Sequence, residues 1–403
     1  MAIVVTNLLA IAGGILFVFC NQANSVEMLV LGRLLVGLAG GLTTSIVPMY
    51  LTELAPSRLV GAMGAICPMG VNLGVLIGQV MGLNFLLGRP QDWHYLISAF
   101  GLLVIISMPL LLILPESPKY LFVIKRDEEK ALKELSRLRG VSTSVLTVDV
   151  DVLREEVQNN ELAAVSGDNK WTMIRVLKDK RLLLPLLLAC SMQAGQQTSG
   201  INAVFYYSQI MFLESGFSEA QAQYATIGCG FINVCTAVLM MYMLPKFDRR
   251  PLLLGSIGVV TLILTALAVC MLFLKSLMWM QYICMALVLA YVLVYGFGLG
   301  PIPYFIGSEL FEVGSRPAGM AWGSLANWGG NFLVGMSFPS MNTAIGSYSF
   351  LIFAGITAAL FVFQKMYFPE TRRRTPAQVS QMCSGGLSSR PRARINVSDT
   401  VSA

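Results

Sequence analysis

Fifty of the 403 residues are charged, which is 12% of the chain, whereas a soluble domain carries roughly 25%. Apolar residue types make up 55%, and the mean hydropathy is +0.68. This composition excludes a soluble enzyme, a disordered chain and a nucleic-acid-binding protein. The eight cysteines show no paired spacing, and a single histidine excludes a multi-histidine metal centre. We therefore expect no metal, no cofactor and no enzymatic activity.

Long stretches without Asp, Glu, Lys or Arg organise the chain. A spanning helix needs about 20 apolar residues, and a first set of stretches can each hold one: 1–26, 34–52, 59–88, 93–115, 182–213, 220–245, 251–274 and 276–308. The stretch 317–364 is long enough for two, and the turn-like cluster 338–342 is predicted to divide it. Strands of a β-barrel would be shorter and strictly alternating. The sequence therefore predicts an all-α polytopic membrane protein with about ten transmembrane helices.

Positive charge is distributed unevenly around these spans. With the N-terminus placed in the cytoplasm, 25 of the 28 Lys and Arg residues fall on the cytoplasmic side, as the positive-inside rule requires. Both termini are therefore expected to be cytoplasmic. The polar segment 119–181 contains an amphipathic helical pattern at 127–135, with a solvated linker as the alternative interpretation. The predicted organisation is a four-span bundle (1–118), a cytoplasmic helical loop (119–181), a six-span bundle (182–370) and a cytoplasmic tail (371–403).

The two bundles repeat one pattern of charged residues. Glu53 ends a span and is followed, two spans later, by Glu116 after a proline; Glu309 and Glu370 are related in the same way. Such a duplication is typical of transporters built from two related bundles. Four spans of the second bundle precede Glu309, and only two precede Glu53. The first bundle is therefore predicted to lack two helices of a twelve-span protein.

One predicted span carries a row of neutral amides. Gln193, Gln196, Gln197 and Gly200 follow one another at helical spacing, and Asn202 comes shortly afterwards. Amides inside an uncharged span are costly against lipid, so they face a cavity or another helix. Hydrogen bonding between helices is one interpretation. The other is a site for a hydroxyl-rich ligand, which needs neutral donors and acceptors.

Eight motifs occur in an order and spacing that resemble one family. They are Leu31-Gly32-Arg33, Pro115-Glu116-Ser117-Pro118-Lys119-Tyr120, Gln196-Gln197-Thr198-Ser199-Gly200-Ile201-Asn202, Arg249-Arg250, Gly300-Pro301-Ile302-Pro303, Ser315-Arg316-Pro317-Ala318, Asn327-Trp328 and Pro369-Glu370-Thr371. From residue 1 to about 375 the chain resembles the facilitative glucose transporters, in the sugar porter branch of the major facilitator superfamily. The resemblance implies that fold without its first two helices. It also implies facilitative transport of a hexose, glucose or fructose, across the plasma membrane by alternating access, with the hexose and the lipid bilayer as partners.

The resemblance also implies roles for individual residues. Sugar contact is expected from a set in the second bundle: Gln193, Gln196, Gln197, Asn202, Asn233, Tyr304, Asn327, Trp328 and Asn331. In the first bundle, Thr44 and Gln79 are the polar residues expected to face the cavity, with ordinary packing as the alternative. A flexible gate is expected at Gly298, Gly300, Pro301 and Pro303, with Tyr206 and Tyr207 as aromatic lids. Contacts that close the cytoplasmic side are expected among Glu53, Arg58, Glu116, Lys119, Arg249, Arg250, Glu309, Arg316, Glu370 and Arg374.

Some positions depart from the family's pattern. Pro68 stands where the family has a glutamine that contacts sugar, Gly296 replaces a glutamate, and Tyr304 replaces a tryptophan. These departures leave the preference for glucose open. A proton-coupled sugar symporter is an alternative to a facilitative carrier, because its coupling carboxylate would lie in an absent helix. A non-transporting sensor is a second alternative. With two helices absent, residues 1–403 alone are expected to transport poorly or not at all.

Overall fold

The computed structural model describes residues 2–56, 60–143, 146–147, 149–151, 153–154, 157–158, 171–214, 216–244, 246–273, 279–312, 314–372, 374, 376–383 and 385–386. Every regular element among these residues is a helix. The chain divides into two compact units, Met1–Asn169 and Lys170–Ala403, called unit 1 and unit 2 below.

Unit 1 begins with helices α1 (Ala2–Cys20), α2 (Val26–Leu54), α3 (Val60–Met81), α4 (Trp93–Ser98) and α5 (Phe100–Ser107). Helix α2 starts earlier than the predicted span because Ser25 caps it: Ser25 Oγ accepts a hydrogen bond of 3.2 Å from Met28 N. Glycines bring α1 and α2 together, since a Cβ on Gly13 would lie only 2.5 Å from Val36 Cγ2. Such close approach of backbones is the usual basis of helix packing in membranes.

The polar segment after α5 contains the predicted amphipathic helix. Helix α6 (Glu128–Arg139) is capped by the Asp127 side chain, and Gly140 ends it with a positive φ of 67°. Its buried residues Ala131 and Leu135 pack with a small apolar cluster that includes Leu121 and Phe122. This stretch therefore contains a capped helix, and its place in a cytoplasmic helical loop stays a prediction.

Unit 2 contains ten α-helices among its described residues: α7 (Met173–Lys178), α8 (Leu183–Gln196), α9 (Asn202–Glu214), α10 (Glu219–Met243), α11 (Arg249–Leu272), α12 (Met280–Phe297), α13 (Ile302–Leu310), α14 (Arg316–Ile345), α15 (Ser349–Tyr367) and α16 (Pro376–Cys383). Helix α14 packs on α8, and α15 packs on α11. The fully buried side chains of Tyr291, Phe311, Phe350 and Leu188 belong to one apolar core.

Seven helical stretches within the described residues are long and apolar enough to cross a membrane: Ala2–Cys20, Val26–Leu51, Trp93–Leu111, Glu219–Met243, Arg249–Leu272, Met280–Leu310 and Arg316–Tyr367. The last of these holds two helices, α14 and α15. Helix α3 and the pair α8–α9 occupy the other two predicted spans. Each predicted span therefore coincides with a helix or with consecutive helices.

The predicted turn at 338–342 is wrong. Helix α14 runs through this stretch with Pro339 inside it and ends at Ile345. Proline costs the helix one backbone hydrogen bond, but Phe338 is buried and its ring lies 6.0 Å from that of Phe353, which holds the helix in place. The chain turns instead at Gly346, which has a φ of +53°, a conformation that glycine adopts without a steric penalty.

Candidate functional site

Helix α8 ends in a kink that shapes the candidate site in unit 2. After Gln196 the chain makes a π-helical turn over Gln197–Ile201, and Gly200 adopts φ +88° and ψ 11° before α9 begins. A side chain at this position would also collide, because a Cβ on Gly200 would lie 2.9 Å from Phe353 Cδ2. The predicted single helical face over 193–200 is therefore interrupted at the residue where only glycine fits. Such π-turns are frequent at functional sites.

Five amide side chains meet at this kink. Asn327 Nδ2 lies 2.8 Å from Gln193 Oε1 and 2.5 Å from Gln196 Oε1. Gln197 Nε2 donates to Asn327 Oδ1 at 3.0 Å, and Asn202 Nδ2 donates to Gln197 Oε1. These five residues, called the amide cluster below, satisfy one another's hydrogen-bonding groups, as buried polar groups must. Asn327 is at its centre, contacting all three glutamines.

Close helix packing brings the amide cluster together. A Cβ on Gly330 would lie 3.1 Å from Gln197 Cβ, so the glycine lets α14 approach the end of α8. A Cβ on Gly195 would lie 2.4 Å from Leu360 Cδ2, so α15 approaches from another side. Gln196, Gln197 and Asn327 are consequently at most 6% exposed. These three amides are neutral and shielded from solvent, whereas Gln193 and Asn202 are partly exposed.

A broken helix lies against the amide cluster. Helix α12 ends at Phe297 and α13 begins at Ile302, and the four residues between them are non-helical or turn-like. Gly298 has φ −144° and ψ −66°, and Leu299 N donates to Ser256 Oγ of α11 at 3.1 Å. The predicted interruption is therefore confirmed at Gly298, Gly300 and Pro301, whereas Pro303 lies in the first turn of α13. Its role as a gate stays a prediction.

Two amide side chains reach this break. Gln196 Nε2 donates to Gly300 O at 2.5 Å, and Gln193 Nε2 donates to Pro303 O at 2.8 Å. The amide cluster is therefore joined to the broken helix by hydrogen bonds to its backbone. Sequence spacing gave no sign of these bonds. Gly300 O is available as an acceptor because the helix is interrupted there, and Pro303 O lies in the first turn of α13.

Sequence reasoning missed an aromatic pair beside the cluster. Tyr291 and Tyr295 of α12 stack with ring centroids 6.2 Å apart. The Tyr291 hydroxyl donates to Ser199 O at 3.0 Å. The signal was present in the sequence: two tyrosines at i and i+4 within an uncharged span need partners for their hydroxyls.

The other predicted contact residues are placed less centrally. Asn233 of α10 is 7% exposed, and Asn331 lies one turn after Asn327 in α14, half-buried. Trp328 and Tyr304 are about half exposed, at 53% and 48%. Their contact with a ligand stays a prediction.

The remaining predicted residues concern unit 1 and the lids. Thr44 is exposed and donates to Gly41 O at 3.0 Å within its own helix. The amide atoms of Gln79 are buried and have no hydrogen-bond partner within the described part of the chain. Tyr206 and Tyr207 lie in α9. The structure thus leaves the predicted roles of these four residues as predictions.

The predicted cytoplasmic end of each unit contains the same contact. In unit 1, Ser117 Oγ donates to the Glu53 carboxylate at 2.5 Å. In unit 2, Thr371 Oγ1 donates to the Glu309 carboxylate. Ser117 and Thr371 each directly follow a Pro-Glu pair. The internal repeat read from the sequence is therefore also a structural repeat.

Charged contacts surround the repeated bond in unit 2. Arg249 Nη2 lies 3.6 Å from Glu309 Oε1. The Glu370 carboxylate accepts hydrogen bonds of 3.0 Å from the backbone N–H groups of Arg249 and Arg250, at the N-terminus of α11. A carboxylate at this end of a helix is favoured by the helix dipole. Arg316 N donates to Glu312 O, and Arg374 contacts Met382.

Unit 1 has its own charged contacts. Lys130 Nζ lies 3.2 Å from Glu116 Oε2, and Lys125 lies nearby at 3.9 Å. The hydrogen bond from Lys130, assisted by the charge of Lys125, lowers the pKa of Glu116 below its ordinary value. Arg139 Nη1 donates to Leu54 O at 2.8 Å, at the end of α2. Arg58 lies outside the described residues.

Comparison with known proteins agrees with this architecture. Residues 1–383 match the family model "Sugar (and other) transporter". The chain belongs to this family. It is 38% identical over 384 residues to solute carrier family 2, facilitated glucose transporter member 3 of Ovis aries. The aligned region covers 95% of this chain and 76% of that protein. The corresponding protein of Homo sapiens is 36% identical over the same coverage.

Solved structures show the same fold. The inward-open xylose transporter XylE from E. coli superposes with a TM-score of 0.73 at 21% identity, over 94% of this chain and 82% of that one. XylE bound to 6-bromo-6-deoxy-D-glucose gives a TM-score of 0.71 at 21% identity, with the same coverage. The protein is therefore a multi-pass membrane protein with the major facilitator superfamily fold, and its relatives are transporters rather than enzymes.

Proposed function

We propose that this protein carries a hexose across the plasma membrane by facilitative diffusion, with alternating access and with both termini in the cytoplasm. The observation that carries the proposal is the amide cluster of Gln193, Gln196, Gln197, Asn202 and Asn327. Its members Gln196, Gln197 and Asn327 are buried in unit 2, at the point where α8 kinks and the neighbouring helix is broken. A packed membrane helix needs neither feature for stability alone.

The chemistry of the cluster suits a sugar. Each amide offers both a donor and an acceptor, as a sugar hydroxyl does, so the two can exchange hydrogen bonds in either direction. The stretches 182–213, 276–308 and 317–364, from which the cluster and the broken helix come, contain no Asp, Glu, Lys or Arg. A charged substrate would lack a counter-charge there. The names of the relatives, facilitated glucose transporters, support the same choice.

Packing supports a substrate preference that differs from that of the glucose carriers. Gly296 replaces a glutamate of the family's pattern, and a Cβ on Gly296 would lie 2.6 Å from Thr236 Cγ2. A longer side chain would therefore have to displace Thr236. This position therefore supplies no acidic acceptor to a sugar hydroxyl, because the helices pack tightly there. The absence of that acceptor favours a hexose that is recognised through amides.

Uptake into liposomes tests the proposal. The purified chain, reconstituted in liposomes, is expected to take up radiolabelled D-glucose or D-fructose slowly but saturably, with L-glucose excluded. Gln197→Leu removes a member of the amide cluster and is expected to lower uptake at least about tenfold, since a site built to bond a hydroxyl loses much of its affinity when one partner is missing. Gln364→Leu is the matched control, because Gln364 is a buried amide of unit 2 that bonds to Ser191 instead.

The same assay separates the alternatives. Uptake that persists with a protonophore supports facilitative transport, whereas uptake that collapses indicates proton symport. Stereoselective binding without flux indicates a sensor. Equal uptake of D- and L-glucose, or equal loss in both glutamine variants, would contradict the assignment of the amide cluster. The weak transport expected for residues 1–403 alone stays a prediction, which the absolute rate of uptake measures.

A further inference from the structure

The short helix α7 is fixed to unit 2 by its inner face. Val176 of α7 is fully buried and belongs to the apolar core of unit 2. Trp322 Nε1 of α14 donates to Met173 O at 2.9 Å. A Cβ on Gly314 would lie 3.0 Å from Trp171 Nε1, so the residue before α7 is also packed closely. Because an isolated helix of this length is not stable in water, these tertiary contacts hold α7 in place.

The outer face of α7 presents aliphatic side chains. Ile174 is 64% exposed and Leu177 is 45% exposed. Residues three apart lie on the same face of a helix, so the two side chains are neighbours. A helix with one buried face, an exposed aliphatic face and basic residues beside it is typical of the boundary between lipid headgroups and acyl chains. The aliphatic face of α7 therefore suits contact with lipid.

Basic side chains surround this aliphatic face. The stretch 171–182 contains one acidic residue and four basic ones, which are Arg175, Lys178, Lys180 and Arg181. The last three of these are exposed. The acidic residue is engaged locally, since Asp179 Oδ1 accepts a hydrogen bond of 2.9 Å from Arg181 N. The guanidinium of Arg175 lies over the ring of Trp171, 4.4 Å from its centroid. The stretch therefore has an excess of three positive charges, most of them at its surface.

The position of α7 along the chain brings it to the membrane surface. The uncharged stretch 182–213 begins directly after Arg181, and α8 begins at Leu183. Four residues lead from Lys178 at the end of α7 to Leu182, a distance of at most about 14 Å in an extended chain. The basic residues are therefore within reach of the headgroup layer. In the predicted topology this is the cytoplasmic side, where anionic lipids give the leaflet a negative surface potential.

We propose that α7 and the turn after it form a docking surface for anionic phospholipids of the cytoplasmic leaflet. Ile174 and Leu177 contact the acyl chains. Lys178, Lys180 and Arg181 donate hydrogen bonds to the phosphate and to the further anionic group of the headgroup. A zwitterionic headgroup brings its own positive charge, so the excess of positive charge on this surface selects anionic lipids.

Photo-crosslinking of the full chain in lipid nanodiscs tests the docking surface. The chain carries p-benzoylphenylalanine in place of Leu177, and about one lipid in ten is phosphatidylserine in a bilayer of phosphatidylcholine. Mass spectrometry of the adduct identifies the headgroup. The share of phosphatidylserine among the adducts is expected to exceed its share of the bilayer at least about threefold, since the attraction of one basic residue near the surface corresponds to about fivefold.

Leu262 is the matched control position for the crosslinker. It is a leucine of α11 that is 70% exposed, and it lies in the uncharged stretch 251–274. The same crosslinker in place of Leu262 is expected to form adducts in the proportions of the bilayer, because no basic side chain lies near it along the helix.

Variants separate the charge of this surface from general contact with lipid. The combined change Lys178→Gln, Lys180→Gln and Arg181→Gln removes three exposed charges and is expected to return the adducts at Leu177 to the composition of the bilayer. Lys178→Arg combined with Lys180→Arg keeps the charge and is expected to keep the enrichment. With the basic residues unaltered, a higher salt concentration is expected to lower the enrichment, because exposed charges are screened. This last measurement decides the matter even if the combined variant does not fold.

The opposite outcomes are equally clear. Equal lipid composition at Leu177 and Leu262, or an enrichment that survives the loss of the three charges, would refute the docking surface. A lack of lipid adducts at Leu177 would show that α7 does not lie at the bilayer and would refute it as well. A crosslinked product of twice the mass of the chain would show that a second copy covers this face instead. The assay contains no sugar, so its result is independent of the proposed function.

Discussion

Replacing Gly200 with alanine is expected to damage both the stability of the protein and the candidate site. The residue has φ +88°, and a new Cβ would lie 2.9 Å from Phe353 Cδ2 and 3.1 Å from Phe353 Cγ. A left-handed conformation costs a residue other than glycine about 1–2 kcal/mol. Overpacking against a buried ring adds about 1–3 kcal/mol. The free energy of unfolding should therefore fall by about 2–5 kcal/mol in total.

The chain can escape part of this cost only by straightening the kink. Gln197 and Asn202 lie on opposite sides of Gly200 and are hydrogen-bonded to each other across it. A regular helical turn would rotate one of them away from the other. We therefore expect Gly200→Ala to lose hexose uptake even in that fraction of the protein that remains folded.

Thermal unfolding of the purified chain and hexose uptake into liposomes measure the two effects. Gly255→Ala is the matched control, because Gly255 lies inside α11 and a Cβ there would meet nothing within 4 Å. That change should be neutral or slightly stabilising, since alanine favours helix over glycine by up to about 1 kcal/mol. If Gly200→Ala had the same melting temperature as Gly255→Ala and took up hexose as fast as the unaltered chain, the argument from backbone conformation would be refuted.

Three further predictions concern other contacts. Asn327→Ala leaves three glutamines without their shared partner, so the half-saturation concentration for hexose uptake should rise at least about tenfold. An unchanged half-saturation concentration would show that Asn327 is not part of the binding site. Glu309→Gln should lower the melting temperature less than Glu309→Ala, because glutamine still accepts from Thr371, which is buried. Both variants lose the charge that faces Arg249 at 3.6 Å, so equal melting temperatures would contradict the bond to Thr371. Cys383 is fully buried, and burial raises the pKa of its thiol to about 11. Its reaction with maleimide, followed by peptide mass spectrometry, should therefore be slow at pH 7.5 and faster as the pH rises. Rapid labelling at pH 7.5 would show that α16 is not packed against unit 2.

The order of the spans could be predicted because it depends on local quantities. A charged side chain is costly in lipid wherever it comes from in the chain, so uncharged stretches alone indicate helices such as α1 and α10. The amphipathic helix α6 follows from the spacing of its own residues in the same way. The repeat of Glu53 and Glu309 was visible because the duplicated residues keep their distance along the chain.

The turn at 338–342 shows where local reasoning fails. Proline and asparagine favour a turn there, yet α14 continues because Phe338 packs on Phe353, a residue of the next helix. The chain reverses at Gly346 instead. Packing between helices outweighed a local preference, and the spacing of Phe338 and Phe353 along the chain does not show that their rings meet.

The sequence by itself determined that this is a helical membrane protein of the sugar transporter family with a row of amides in one span, since each of these conclusions depends on composition, spacing or motif order. Only the tertiary structure decided what the amides do. It placed Asn327 among three glutamines, put Gly200 in a left-handed conformation beside Phe353, and joined Gln193 and Gln196 to the carbonyls of a broken helix. The physical reason is that a hydrogen bond depends on the direction and distance of two groups, and here those groups come from helices far apart in the chain.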